Sequence, residues 1–140
     1  MIMGKFNLTS TDVELAAQVA DLINLGGQQV RPVYPATILN NDVIYCVQVV
    51  GDRVIGVCGI SNNYQRSEIK HLVVSPDYRG KSIGNSLVEK TIDKSTNRCV
   101  YATVRYDNFN SIRIMVRNYF KVTNLTNGSV KPLINFVRNL

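Results

Sequence analysis

The sequence is short of the features that announce many functions. It has one histidine, His71, and three cysteines, Cys46, Cys58 and Cys99, with neither CxxC spacing nor a histidine pair nearby. That argues against a zinc site and against a disulfide framework. If Val43 to Val50 and Arg53 to Ile60 pair through a two-residue loop at Gly51-Asp52, Cys46 is expected opposite Val57 and Cys58 opposite Tyr45. The two thiols then sit on opposite faces and cannot bridge, so the three read as buried apolar cysteines of a reducing compartment. No apolar run approaches the ~20 residues that span a bilayer, and the opening Met1 to Phe6 lacks the apolar segment of a signal peptide. The expectation is a cytoplasmic protein without membrane attachment, for which the glycosylation-like triplets at Asn7, Asn124 and Asn127 carry no meaning. Basic residues never occur three in a row, so no nucleic-acid patch can be located. Internal repeats and low-complexity tracts are also lacking.

What is present bounds the fold. A chain of 140 residues with 45% hydrophobic content is long enough for one domain with a substantial core and short for two, so residues 1–140 are read as a single domain. The net charge of +6 invites a polyanionic partner or phosphorylated cofactor, and a solvated basic surface explains it equally well. Oligomeric state is left as monomer or homodimer.

A helix opens at Thr11, where Thr11 and Glu14 form a capping box; Val13, Ala16, Ala20 and Ile23 share its face until Gly26-Gly27 stop it. Gln28 to Asn41, with Pro32 and Pro35, reads as loop or a short broken helix. Two strands joined at Gly51-Asp52 follow, then a third from Arg66 to Ser75. Next comes a helix on which Ile83, Leu87 and Ile92 share a face, and a strand from Arg98 to Arg105. Asp107-Asn108 caps a helix whose Phe109, Ile112, Val116 and Tyr119 share a face. Lys121 to Asn124 and Val130 to Arg138 read as a closing hairpin turning through Asn127-Gly128, with Pro132 at an edge position. The order α, β-β-β, α, β, α, β-β makes an α/β fold with a mixed sheet and helices on both faces. Its strand-helix-strand unit from Glu68 to Tyr106 enforces a central parallel pair.

The most informative stretch is Val73 to Ile92, where an apolar strand meets Pro76, then Arg79-Gly80-Lys81-Ser82-Ile83-Gly84, then a helix. A turn of small residues entering a helix offers unpaired N–H groups and the positive end of the helix dipole, so it favours an anion such as phosphate. Ser75 to Ser82 ends like the GxxxxGK-Ser/Thr loop of nucleotide hydrolases. A serine stands where the first glycine belongs, however, and no strand ending in an acidic magnesium ligand accompanies it.

Val74-x-Pro76-x-Tyr78-Arg79-Gly80-Lys81-x-Ile83-Gly84 resembles the acetyl-CoA signature of the GNAT N-acetyltransferase superfamily, whose core is Gln/Arg-x-x-Gly-x-Gly/Ala. The resemblance extends to Asn108 through Phe120, which is similar to the family's helix pattern Asn-x-x-Ala/Ser-x-x-Leu-Tyr-x-x-x-Gly-Phe, and covers the chain from the first helix onward. It implies a mostly antiparallel sheet with a splayed central parallel pair, and acetyl transfer from acetyl-CoA to an amine-bearing acceptor without a metal. Pantetheine is then expected to pair with the backbone at Leu72, Val73 and Val74. The pyrophosphate is expected on the amides of Arg79, Gly80, Lys81, Ser82, Ile83 and Gly84. Ser82 departs from the pattern: its Cβ crowds the phosphate or strains the backbone unless φ is negative and the hydroxyl donates. Asn108 and Ser111 match positions that line the cofactor, and Asn108 also reads as an N-cap alone.

Acyl transfer needs a neutral amine, a stabilised oxyanion and a proton for the thiolate. The resemblance implies the Val74 amide as oxyanion donor and places Glu68 at the catalytic-glutamate position of one branch, although an exposed strand carboxylate is an equal reading. By strict alternation Glu68 and His71 face opposite sides, so both line one cleft only if a bulge intervenes. His71 reads as structural and remains a permissible base. Met115 stands where many relatives carry a proton-donating tyrosine; Tyr119 is an alternative donor that is also expected to pack in the core with Phe120. Arg113 and Arg117 read as an exposed pair or as ligands of an anion. Two other readings stand beside the enzyme: a GNAT-fold protein that binds CoA or a partner without transfer, and an acyltransferase acting on charged tRNA or nucleic acid.

Overall fold

The computed structural model describes residues 1–4, 10–26, 31–128 and 130–140. Asn7, Gly27 of the expected helix stop and Ser129 beyond the terminal turn lie outside the described residues. Chain order is β1 (Ile2–Gly4), α1 (Ser10–Gly26), α2 (Pro35–Asn40), β2 (Ile44–Val50), β3 (Arg53–Asn62), β4 (Ser67–Val74), a 3-10 turn (Pro76–Tyr78), α3 (Ile83–Ile92), β5 (Cys99–Arg105), α4 (Phe109–Arg117), β6 (Lys121–Asn127) and β7 (Pro132–Asn139). The expected order is present, with β1 added and the short helix expected within Gln28 to Asn41 formed as α2. Helix α1 begins one residue earlier than the box at Thr11, which puts Thr11 inside the first turn. Val13 is exposed, and the buried face runs through Ala16, Val19, Ala20 and Ile23.

The seven strands form one sheet in the order β1-β2-β3-β4-β5-β7-β6, antiparallel throughout except for β4 and β5. These two pair only at Ser67 with Val100 and Glu68 with Tyr101, then diverge. A crossover helix forces the parallel direction, and the divergence opens the sheet at its centre. Strand β7 lies between β5 and β6, so Pro132 is not at a sheet edge. It is tolerated as the first residue of the strand, where one missing N–H costs no central ladder bond.

Two cores flank the sheet. Val47, Val57 and Tyr45 pack beneath α1 and α2, while Cys58, Ile60, Ile69, Val100 and Phe136 pack beneath α3 and α4. The cysteine register differs from expectation. A bulge between Gln48 and Val49 shifts the β2–β3 pairing by one residue, so Cys46 stands opposite Cys58 on one face. Both thiols are nevertheless free and buried; Cys99 is only half-buried. Burial pushes the Cys58 thiol up to about 12, which leaves it an inert apolar group.

Helix α4 presents a different face from the one its apolar residues mark. Ser111, Ile114, Met115 and Asn118 are buried, whereas Phe109, Val116 and Tyr119 are exposed. The Asn118 side chain can face inward because it is satisfied, and Asn108 closes the start of the helix. Asn108 Oδ1 accepts the Ser111 N–H (3.2 Å), and Asn118 Nδ2 donates to Asn85 Oδ1 on α3 (2.8 Å) and to Ile114 O (2.9 Å). Tyr119 does not pack with Phe120. It ends the helix at φ 65°, its N–H bonding Val116 O (3.1 Å) and the Phe120 N–H bonding Met115 O (3.0 Å). Those two bonds define a Schellman stop, which favours glycine at the position Tyr119 occupies.

Candidate active site

Strand β4 carries the decisive irregularity. Its pairing with β3 passes from Val73–Val57 to Lys70–Gly59, leaving His71 and Leu72 together opposite Cys58, with His71 at φ 57°. This is a bulge, and it breaks the alternation that would separate Glu68 from His71. Ile69 and Leu72 pack toward α3 and α4, while His71 stacks on Tyr45 of the other core, with ring centroids 6.4 Å apart. His71 therefore shares the α1 side with Glu68. Burial, and secondarily the Lys70 charge, pull the His71 imidazole below its usual value, so it is neutral at neutral pH.

Past the bulge, the Ser75 N–H bonds Ile55 O on β3 (2.8 Å). Strand amides alternate in direction, so the Val74 N–H points away from β3, into the opening toward β5. Arg79 Nε donates to Val74 O from that open side (3.2 Å), tying the turn to the strand end.

The turn itself divides its labour. Gly80 has φ 77°, where a side chain is strained. Gly84 is helical, and its smallness serves packing: a Cβ there would lie 2.5 Å from Ile114 Cδ1. Ser82 adopts φ 63° and ψ 15° as N-cap of α3, and its side chain makes no capping bond. The backbone alternative to strain, a negative φ, is thus not taken. The free amides at the start of α3 open onto a cavity of about 330 Å³ lined by Arg79, Gly80, Ser82, Ile83 and Gly84, and, from α4, Asn110, Arg113 and Arg117. Three arginines and a helix N-terminus line one space, an arrangement suited to phosphates.

This cradle adjoins the opening of the sheet through shared lining residues, Val74, Arg79, Asn110 and Ile114 on one side and Leu72, Val73, Asn108 and Ser111 on the other. A narrow stretch lined by Gly26, Leu72, Val73, Val74, Arg79, Asn108 and Ser111 joins it to a chamber of about 190 Å³ between β4 and β5. The chamber wall includes His71, Leu72, Val73, Thr103, Arg105, Asn108, Ser111 and Met115. Leu72 to Val74, Arg79, Gly80, Ser82 to Gly84, Asn108 and Ser111 are therefore brought to one groove, and Asn108 both caps α4 and lines the groove. Lys81 instead lies over the Tyr78 ring (5.5 Å). Glu68 sits at the apex where β4 and β5 part, outside the groove lining, with its carboxylate 3.4 Å from Lys70 Nζ. Tyr119 is 77% exposed, away from the groove, beneath Arg138.

Sequence reasoning did not find Thr103 and Arg105. Strand alternation was the available signal: Ala102 and Val104 are core residues, so Thr103 and Arg105 face the other way.

No curated protein matches the sequence. Solved structures similar to the whole chain include ribosomal-protein-alanine N-acetyltransferase from Brucella melitensis (18% identity, TM-score 0.75, covering 100% of both chains). Aminoglycoside 6'-N-acetyltransferase from Enterococcus faecium is similar to the same degree (18%, 0.75, covering 99% of this chain and 97% of that one). So is yncA from Salmonella typhimurium, solved with its cofactor acetyl-CoA (17%, 0.75, covering 99% and 94%). These likenesses describe the fold. Among the described residues no helix is long and apolar enough to cross a membrane. Residues 18–118 match the family model described as acetyltransferase (GNAT) family, and the chain belongs to that family.

Proposed function

We propose that the protein is an acetyl-CoA-dependent N-acetyltransferase acting on a primary amine. The observation that carries this reading is the row of adjoining cavities, sharing lining residues, from the α3 cradle to the chamber at the β4 bulge. The α3 amides and Arg79 hold the pyrophosphate, Arg113 and Arg117 meet the remaining phosphate, and the open backbone edge of Leu72 to Val74 pairs with pantetheine.

Acetyl-CoA supplies an activated carbonyl and a thiolate leaving group. The Val74 N–H, aimed into the opening, donates to the oxygen as charge develops on it. Neutral His71 accepts the proton that the amine loses when the C–N bond forms and the C–S bond breaks. Solvent protonates the departing thiolate, since a thiol near pKa ~8.5 leaves readily. Glu68, tied to Lys70 at the apex, is the alternative base.

The test has two parts. CoA is expected to raise the melting temperature of the wild type and to do so weakly or not at all in Arg79→Ala. Acetyl transfer, followed by mass spectrometry over peptides, amino acids, aminoglycosides, polyamines and charged tRNA, is expected to fall more for His71→Ala than for Glu68→Gln. Absence of any CoA-dependent stabilisation would falsify the proposal. A second reading, CoA binding without transfer, is favoured by one observation: Met115, with no proton to give, forms the chamber wall. Stabilisation by CoA without turnover on any acceptor would select it.

A further inference from the structure

Helices α1 and α2 pack over β2, β3 and β4, while among the described residues no helix packs on the same side of β5, β7 and β6. On that bare face Thr103 Oγ1 bonds Asn135 Oδ1 (3.0 Å), and Asn135 Nδ2 bonds Thr126 Oγ1 (3.2 Å), a polar row across three strands. The row ends at the chamber, on the side away from the α3 cradle. An acceptor that does not compete with the cofactor groove reaches the chamber across this face.

The charges there have one dominant sign. Among the described residues that line the chamber, Arg105 alone carries a charged side chain. It is braced by Asp107, whose carboxylate lies 3.5 Å from Arg105 Nε and also bonds Lys131 Nζ. Two cations thus share one carboxylate at the chamber mouth. A cationic mouth repels an ammonium ion, and it also lowers the proton affinity of an amine held near it, which favours the neutral nucleophile.

We propose that Arg105 selects the acceptor, and that the acceptor is a small amine bearing an anionic group, a carboxylate or a phosphate, beside the amine to be acetylated. The proposal rests on the acetyltransferase reading above. A guanidinium presents planar, paired donors that match either group, while the chamber's small volume excludes a bulky reacting end. Polyamines are rejected because no carboxylate lines the chamber among the described residues and that of Asp107 is already shared by Arg105 and Lys131.

Matched acceptors test this: serine against serinamide, and O-phosphoethanolamine against ethanolamine, compared by kcat/KM at saturating acetyl-CoA. At least one anionic member is expected to exceed its neutral partner by tenfold or more, and which pair does so distinguishes carboxylate from phosphate. Arg105→Gln is expected to erase that preference mainly through KM, with Arg105→Lys retaining part of it and CoA-dependent stabilisation unchanged in both. Equal rates within both pairs, or a preference that survives Arg105→Gln, overturns the inference. Loss of CoA-dependent stabilisation in the wild type would instead overturn the acetyltransferase reading itself.

Discussion

The two arms of the sheet that meet at the opening are built to different standards. In the first arm β3 is buried from Val54 to Ile60, clamped between α1 on one side and α3 on the other. In the second arm β6 is exposed along its whole length, and among the described residues a helix, α4, covers only one face of β5 and β7. The first arm is a scaffold that holds the bulge at His71 and the turn at Arg79 in place. The second is half scaffold and half open surface, which is what an acceptor-facing side requires. The difference also assigns free energy: apolar burial concentrates where the cofactor groove is anchored.

Truncation in each arm should separate the two standards most sharply. Ile60→Ala removes a fully buried side chain and is expected to cost about 2–5 kcal/mol. Leu125→Ala on β6, 68% exposed, is expected to stay within about 0.5 kcal/mol. Denaturant unfolding of both variants checks the contrast, and similar losses would mean that β6 is covered in the folded protein in solution.

How much of this was legible beforehand follows from how locally each feature is encoded. The cradle was readable because strand end, turn and helix start are contiguous, and Arg79, Gly80 and Ser82 act where they stand in the chain. The parallel pair was readable because a strand-helix-strand unit permits no other direction. The cysteine register was not. It depends on a bulge between Gln48 and Val49 that no turn residue marks, and a single extra residue reverses every facing downstream. The buried face of α4 was misread because hydrophobicity favours Phe109, Val116 and Tyr119, while the face that docks is chosen by the Asn118–Asn85 bond and by the space Gly84 leaves for Ile114. Alternation along β5 sets the facing of Thr103 and Arg105, but only the divergence of β4 from β5 makes that face a chamber wall.

The bulge held by the first arm predicts a pH dependence. The His71 value is depressed in the folded protein, so between that value and its unfolded value near ~6.5 the unfolded chain binds more protons than the folded one. Stability from this group is therefore fully present above about pH 6.5 and declines as pH falls through the window below it. His71→Gln should flatten the stability profile there, measured by melts from pH 5 to 8. If His71 is also the base, the acid limb of kcat/KM lies below pH ~6.5. An unchanged stability profile in the variant would place the imidazole in contact with water.

Small gains are expected at two backbone positions, one serving each arm, where a side chain sits in the left-handed region: Ser82 at φ 63° and Tyr119 at φ 65°. Each conformation costs a non-glycine residue roughly 1–2 kcal/mol, partly offset by the greater freedom glycine has when unfolded. Ser82→Gly and Tyr119→Gly are each expected to stabilise by up to about 1 kcal/mol, and the two gains should add because the residues belong to separate helix ends. Only Ser82→Gly should also tighten CoA binding, since it removes a Cβ from the cradle, whereas Tyr119 is remote from the groove. Calorimetric titration of CoA into both variants makes the distinction. Equal tightening would show that helix-end strain, communicated through the Asn85–Asn118 bond between α3 and α4, governs affinity in place of crowding at the phosphate.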